Sequence, residues 1–171
     1  LCFDAVRYAL PGAAPVPEAL LNWDKRLGLD VLEVDGRTEN CGYSQVCRPG
    51  KYKQGWNGQN SPGVEVRIAE DGEVQVRSGA TMQGYYKDPE KTAETMTADG
   101  YLRTGDKGEQ DADGNLRLTG RIKEIFKTSK GKYVAPAPIE NRLGEHSRIE
   151  MVCVVGDGMT QPMALCVLSD V

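Results

Sequence analysis

Two polar cassettes hold the side chains with the most evident chemistry. They are Tyr101-Leu102-Arg103-Thr104-Gly105-Asp106 and, from position 120, Gly120-Arg121-Ile122-Lys123-Glu124. A carboxylate presented at a glycine turn can accept from both hydroxyls of a vicinal diol, and an arginine fork can bind the same sugar or its phosphate. Together they point to a nucleotide. Asp113-Gly114 between them is a hairpin signal, so strands over 101–108 and 115–120 would return Arg121 towards Asp106.

Composition narrows what else the chain can be. At 171 residues, with 39% hydrophobic and 27% charged residues, it has the makeup of an ordinary globular protein of one large domain, or of one and a half small ones. The net charge of −4 provides no basic field for counterion release, so nucleic acid is not an expected partner. No apolar stretch has the length of a transmembrane segment and no signal-peptide order opens the chain, which leads to the expectation of a cytoplasmic protein. The five cysteines, Cys2, Cys41, Cys47, Cys153 and Cys166, lack metal-ligand spacing and are expected as free thiols. The single histidine, His146, lies in a polar stretch and is expected in a solvated loop, which leaves few candidates for a histidine-based nucleophilic centre. A start at Leu1-Cys2-Phe3 and a strand pattern running almost to the last residue suggest a piece of something longer.

The elements around the cassettes follow from periodicity and punctuation. Val6–Leu10 reads as a strand, the run from Pro17 through Leu20, Leu21, Trp23 and Leu27 as a helix closed by Gly28, and Val31–Val34 as a second buried strand. That order is an α/β crossover. The segment 41–62 shows no periodicity and reads as a long loop. Val64, Val66 and Ile68 alternate, Asp71-Gly72 turns, and Val74 and Val76 alternate on the return, which is a hairpin. Asp88-Pro89-Glu90 announces a short helix to about Met96. Beyond Gly120 the pattern predicts a short strand over 122–126, a turn at Gly131, a helix over 138–143, and strands over 151–155 and 164–168.

In this order and spacing the pieces resemble the adenylate-forming (AMP-binding) superfamily of acyl-CoA synthetases, peptide-synthetase adenylation domains and luciferases. The likeness is greatest to long-chain fatty-acid–CoA ligases, chiefly through Arg48-Pro49-Gly50 and the segment 127–136, and it covers nearly the whole chain. The resemblance implies a mixed α/β (α+β) fold. Residues 1–121 would be the end of the large adenylate-forming domain, with the crossover at 1–40 and a small antiparallel β-barrel subdomain at 60–121. Residues 122–171 would begin the C-terminal lid, hinged at about 121–124.

The same resemblance assigns roles. Gly12, Ala13 and Ala14 resemble the loop along the adenine edge, where small residues allow close backbone approach. Asp35-Gly36-Arg37-Thr38-Glu39 matches a signature of aromatic, Gly, any residue, Thr and Glu. It implies nucleotide contacts from Asp35 and Gly36, an α-phosphate contact from Thr38 and a magnesium ion on Glu39, a hard carboxylate for a hard cation. Asp35 departs from the pattern, since an acid does not supply the stacking on adenine, about 1–3 kcal/mol, that an aromatic would. Asp106 would hold the ribose hydroxyls, with Arg121 on the ribose or phosphate. Lys123 would be the hinge, and Lys127 and Gly131 would face the site during thioester formation, Lys127 as a charge stabiliser and Gly131 along the CoA arm. Gly84-Tyr85-Tyr86 resembles a structural segment with no catalytic part.

The implied reaction joins a fatty acid to CoA through an acyl-AMP, with ATP and Mg2+, by positioning and charge neutralisation. The resemblance implies an acid–thiol ligase as the whole enzyme, with attachment to a membrane periphery left open. The phosphate loop and the adenylating lysine are expected outside these residues, so the isolated chain is expected to be inactive. An aryl or amino-acid activator of the same superfamily and a non-catalytic nucleotide-binding module are the alternatives.

Overall fold

The computed structural model describes residues 5–12, 16 and 18–169. The chain begins as expected of a crossover: β1 (Tyr8–Ala9), α1 (Glu18–Arg26) and β2 (Asp30–Val31), with β1 and β2 paired in parallel. The predicted strand over 31–34 is in fact two. After β2 the backbone breaks register, Leu32 N donates to Ala9 O at 2.8 Å, and β3 (Val34–Asp35) joins a different sheet. Leu32 is buried at the break, so the apolar run marks burial rather than one continuous strand.

The segment expected as a loop contains two more strands, β4 (Gln45–Val46) and β5 (Gly58–Asn60). Their cohesion is polar, which is why no hydrophobic alternation announces them. Ser44 and Gln45 are buried, the Ser44 hydroxyl donates to Gln45 Oε1 at 2.7 Å, and Ser61 N donates to Ser44 O at 2.8 Å. Such strands satisfy the rule that buried polar groups find partners, and they need no apolar face of their own.

The remaining strands follow the punctuation closely. The hairpin of β6 (Glu65–Ile68) and β7 (Glu73–Arg77) is antiparallel, with Val66 opposite Val76 and Ile68 opposite Val74. Helix α2 (Pro89–Thr95) starts where Asp88 and Pro89 predict, and the Asp88 side chain accepts from Lys91 N at 2.9 Å. Strands β8 (Leu102–Gln110) and β9 (Asn115–Arg121) flank a turn in which Asp111 Oδ1 accepts from Asp113 N and Asn115 N. The seven strands lie in the order β3-β4-β5-β9-β8-β7-β6. That order has two ends, so the expected barrel is an open sheet and no closed barrel forms among the described residues. Its core is Val74, Val76, Leu102 and Leu116, flanked by Val66, Met82, Met96 and Leu118.

Past β9 the predicted strand over 122–126 is a single 3-10 turn, Ile122–Glu124, followed by β10 (Phe126–Lys127). The Ile125 N–H donates to Arg121 O, so the backbone is satisfied locally and no partner strand is required. β10 pairs with β11 (Tyr133–Val134), α3 spans Pro136–Gly144, and β12 (Ile149–Val155) pairs antiparallel with β13 (Met163–Leu168). By internal contacts the chain divides into two compact units, Leu1–Thr104 with Gly108–Leu118, and Gly105–Lys107 with Thr119–Val171.

His146 is exposed, as expected. Cys41, Cys47, Cys153 and Cys166 are free thiols, and Cys2 lies outside the described residues. Cys47 differs from the others, since burial pushes its thiol up to about 11 and its Sγ lies 3.1 Å from Trp56 O. At pH 8 iodoacetamide is expected to label Cys41, Cys153 and Cys166 well before Cys47, because the thiolate is the nucleophile. Peptide mapping after a timed pulse checks this, and equal labelling of Cys47 would refute it. The sign for stability follows. The folded state keeps the proton longer than the unfolded chain, so this contribution is intact below about pH 9 and is lost as pH rises through about 11.

Candidate functional site

In the first unit the candidate residues sit on a single 3-10 turn, Thr38–Asn40, directly after β3. Three local features shape it. Arg37 N donates to the Asn40 side-chain oxygen at 2.9 Å, Gly42 N closes back on Arg37 O at 2.8 Å, and Cys41 takes a left-handed conformation at φ 55. Gly36 makes the closure possible, because a Cβ there would lie 2.4 Å from Gly42 O. Thr38 is left exposed, while Glu39 and Asp35 are half-buried. No ring occupies the Asp35 position, in keeping with the departure seen in the sequence.

Glu39 is held from two sides by one strap. Met82 N donates to its carbonyl oxygen at 2.7 Å, and the Tyr85 hydroxyl donates to Oε1 at 2.8 Å. The Tyr85 hydrogen bond is the main reason its carboxyl lies below the usual carboxylate range, so it is ionised at neutral pH. Among the described residues no group of three or more His, Cys, Asp or Glu side chains gathers to hold a metal. A lone ionised carboxylate nevertheless suits Mg2+, which retains several waters and takes one or two carboxylates along with substrate phosphates.

Arg37 occupies the variable place in the signature, yet it ties this turn to the sheet. Its guanidinium donates to Thr104 O at 2.5 Å, and the Thr104 hydroxyl in turn donates to Val74 O at 2.6 Å. Gly12 is exposed, and a Cβ there would meet Val34 at an ordinary 3.7 Å, so nothing described here requires glycine at that position. Ala13 and Ala14 lie outside the described residues.

In the second unit the hairpin brings Asp106 and Arg121 together. Asp106 Oδ1 lies 3.0 Å from Arg121 Nε, with Asp106 only 5% exposed and the arginine largely in solvent. Gly105, at φ 69, turns the chain just before the aspartate, a conformation glycine adopts without a Cβ penalty. A buried carboxylate beside an exposed guanidinium offers acceptors and donors to one polar ligand. Lys123 is exposed on the 3-10 turn after Arg121. Lys127 is exposed on β10 with its Nζ 5.1 Å from the centre of the Tyr133 ring, and Gly131 closes the β10–β11 turn at φ 80, its N–H bonded to Thr128 O at 2.9 Å.

Sequence reasoning missed Tyr85 and Arg37 as neighbours of the candidate residues. Tyr85 lies 46 positions from Glu39, and Arg37 lies 67 from Thr104. Neither separation leaves a local pattern. The only available signal was a phenol in a glycine-rich strap, and in sequence that is indistinguishable from packing.

Residues 123–171 match the family model of the AMP-binding enzyme C-terminal domain. A putative fatty-acid–CoA ligase of Mycobacterium tuberculosis is 39% identical over 98% of this chain, and human long-chain-fatty-acid–CoA ligase 1 is 34% identical over 97%. The chain spans 29% and 26% of those proteins' lengths, respectively. Among solved structures, the o-succinylbenzoate coenzyme A synthetase of Bacillus subtilis with AMP superimposes at a TM-score of 0.86 and 26% identity, over 98% of this chain and 37% of that one. The same enzyme has also been solved with ATP and a magnesium ion, at a TM-score of 0.85, 27% identity, and coverage of 96% of this chain and 37% of that one. The mixed α/β fold, the relatives and the family model agree in likening this chain to a part of the adenylate-forming, AMP-binding acyl-CoA ligases.

Proposed function

We propose that this chain is the part of an ATP-dependent fatty-acyl-CoA synthetase that grips the ribose and phosphate of the nucleotide and carries the joint to the lid. The observation that carries the reading is the buried Asp106 carboxylate bonded to the exposed Arg121. Asp106 accepts from the ribose hydroxyls, and Arg121 donates to the ribose or a phosphoryl oxygen. Thr38 donates its hydroxyl to the α-phosphate, and the ionised Glu39 carboxylate is the magnesium ligand. A Mg2+ ion held by Glu39 would supply positive charge to neutralise the phosphate oxygens of the nucleotide. Asp35, Gly36 and the loop of Gly12, Ala13 and Ala14 border the adenine. Residues 1–121 and 122–171 act as separate domains, Lys123 is the hinge, and Lys127 and Gly131 serve the CoA step, Lys127 by charge and Gly131 by giving the thiol arm room.

The chain's identity to ligases named for fatty acids favours an aliphatic carboxylic acid over an aromatic one. An aryl acid is the second reading, favoured by the match to a structure named for o-succinylbenzoate. The test uses the whole enzyme that contains this chain, assayed for ATP–pyrophosphate exchange and CoA ester formation with fatty acids of graded length and with benzoate-type acids. Exchange with fatty acids is the expected result, exchange with aromatic acids alone would replace the first reading with the second, and calorimetry without detectable AMP binding would point to a decayed, non-catalytic module. The 171-residue chain by itself is expected to show no exchange, and measurable exchange would refute that expectation.

A further inference from the structure

We propose that Tyr85 is a positioning residue for the adenylation half-reaction, its hydroxyl fixing one oxygen of the Glu39 carboxylate and leaving the other to serve as the metal ligand. This inference rests on the reading of Glu39 as the magnesium ligand. The geometry assigns Tyr85 more than a packing part. Its hydroxyl is 2.8 Å from Glu39 Oε1, and the same strap secures the Glu39 main chain through Met82 N at 2.7 Å. A carboxylate fixed at one oxygen has lost most of its freedom about the terminal torsion, which is how neighbouring hydrogen bonds orient a metal ligand.

The strap is itself anchored. Tyr85 N donates to the Thr92 hydroxyl at 2.9 Å, and that hydroxyl donates to Asp88 O at 2.8 Å, so the tyrosine is fastened to α2. Gly84 permits the approach, because at φ 152 a Cβ there would lie 2.8 Å from the Thr92 methyl. α2 and its strap therefore set where the Tyr85 ring lies, and the ring sets where Glu39 points. A tyrosine that served only as packing would not need its hydroxyl on this carboxylate.

The test compares Tyr85→Phe with Glu39→Gln in the whole enzyme. Two readouts are taken: the Mg2+ dependence of ATP–pyrophosphate exchange, and Mn2+ binding in the presence of a non-hydrolysable ATP analogue, followed by electron paramagnetic resonance. Tyr85→Phe keeps the ring and removes only the hydroxyl, so the unfolding temperature is expected to stay nearly unchanged. The metal concentration for half-maximal exchange and the Mn2+ dissociation constant are expected to rise by about tenfold, the lower end of the 10–100-fold that loss of a hydrogen bond orienting a metal ligand costs. Exchange at saturating Mg2+ is expected to recover largely, a split that a purely structural role would not produce. If Glu39→Gln weakens Mn2+ binding and Tyr85→Phe does not, the proposal for Tyr85 is overturned while the reading of Glu39 stands. If Glu39→Gln leaves Mn2+ binding intact, that reading fails and the proposal falls with it.

Discussion

Asp106→Ala in the whole enzyme is expected to weaken AMP binding by about a hundredfold or more while changing stability little. The first half follows from the acceptors lost. Two hydrogen bonds from ribose hydroxyls to a charged carboxylate, each about 1.5–3 kcal/mol, set that scale. The second half follows from exposure. Arg121 is largely in water, so losing its 3.0 Å partner leaves the guanidinium solvated rather than stranded. Arg121→Ala should behave in the opposite sense on stability. It takes a partner from a carboxylate that is 5% exposed, and removing one member of a partly buried pair costs more when the member left behind is the buried one. Calorimetry with AMP and thermal unfolding of both variants measure the contrast. An Asp106→Ala protein that binds AMP as tightly as the unsubstituted enzyme would remove the ribose assignment.

Gly58→Ala is the substitution expected to cost the fold most. Gly58 opens β5 opposite Leu116 of β9, at φ 84, and an added Cβ would lie 2.3 Å from Val46 O and 2.5 Å from Cys47 N. Both atoms are backbone, so no side-chain rotation relieves the contact. A left-handed conformation at a residue with a Cβ costs about 1–2 kcal/mol, and forced overpacking adds about 1–3 kcal/mol, which together predict a loss of about 3 kcal/mol. That corresponds to a fall of roughly 10 °C in unfolding temperature for a chain of this size. Gly55→Ala is the control, because Gly55 has φ 75 but no atom within 4 Å of an added Cβ and should show only the conformational part. Equal effects at the two positions would mean that the close approach of β4 to β5 contributes nothing.

How far the sequence reached can be followed in particular elements. The hairpins β6–β7 and β8–β9 were legible because Asp-Gly turns and alternating valines are local signals, and α2 was legible because Asp88-Pro89 is a local cap. β4 and β5 were not, because their buried residues are Gln45 and Gly58, with Ser44 buried just before β4, types that carry no strand period. The split of 31–34 between two sheets was hidden for a related reason, since an apolar run records burial and not which strand it pairs with. The closed barrel expected from family likeness is an open sheet, because strand order depends on pairings between distant segments that no local pattern encodes.

The candidate site divides in the same way. Residue types and spacing alone determined that Asp106 and Arg121 would be returned to one another, since a hairpin with a two-residue turn signal has few registers. The family resemblance, rather than spacing, is what marked Thr38-Glu39 as a hydroxyl and carboxylate for phosphate and metal and Asp35 as standing where an aromatic is usual. Only the tertiary structure decided that Tyr85 donates to Glu39, that Arg37 reaches Thr104, and that Gly36 lies against Gly42. The physical reason is range. Turn chemistry and hydrophobic period act over a few residues and are written in order along the chain, whereas a hydrogen bond across 46 or 67 positions exists only once the sheet has brought its two ends together.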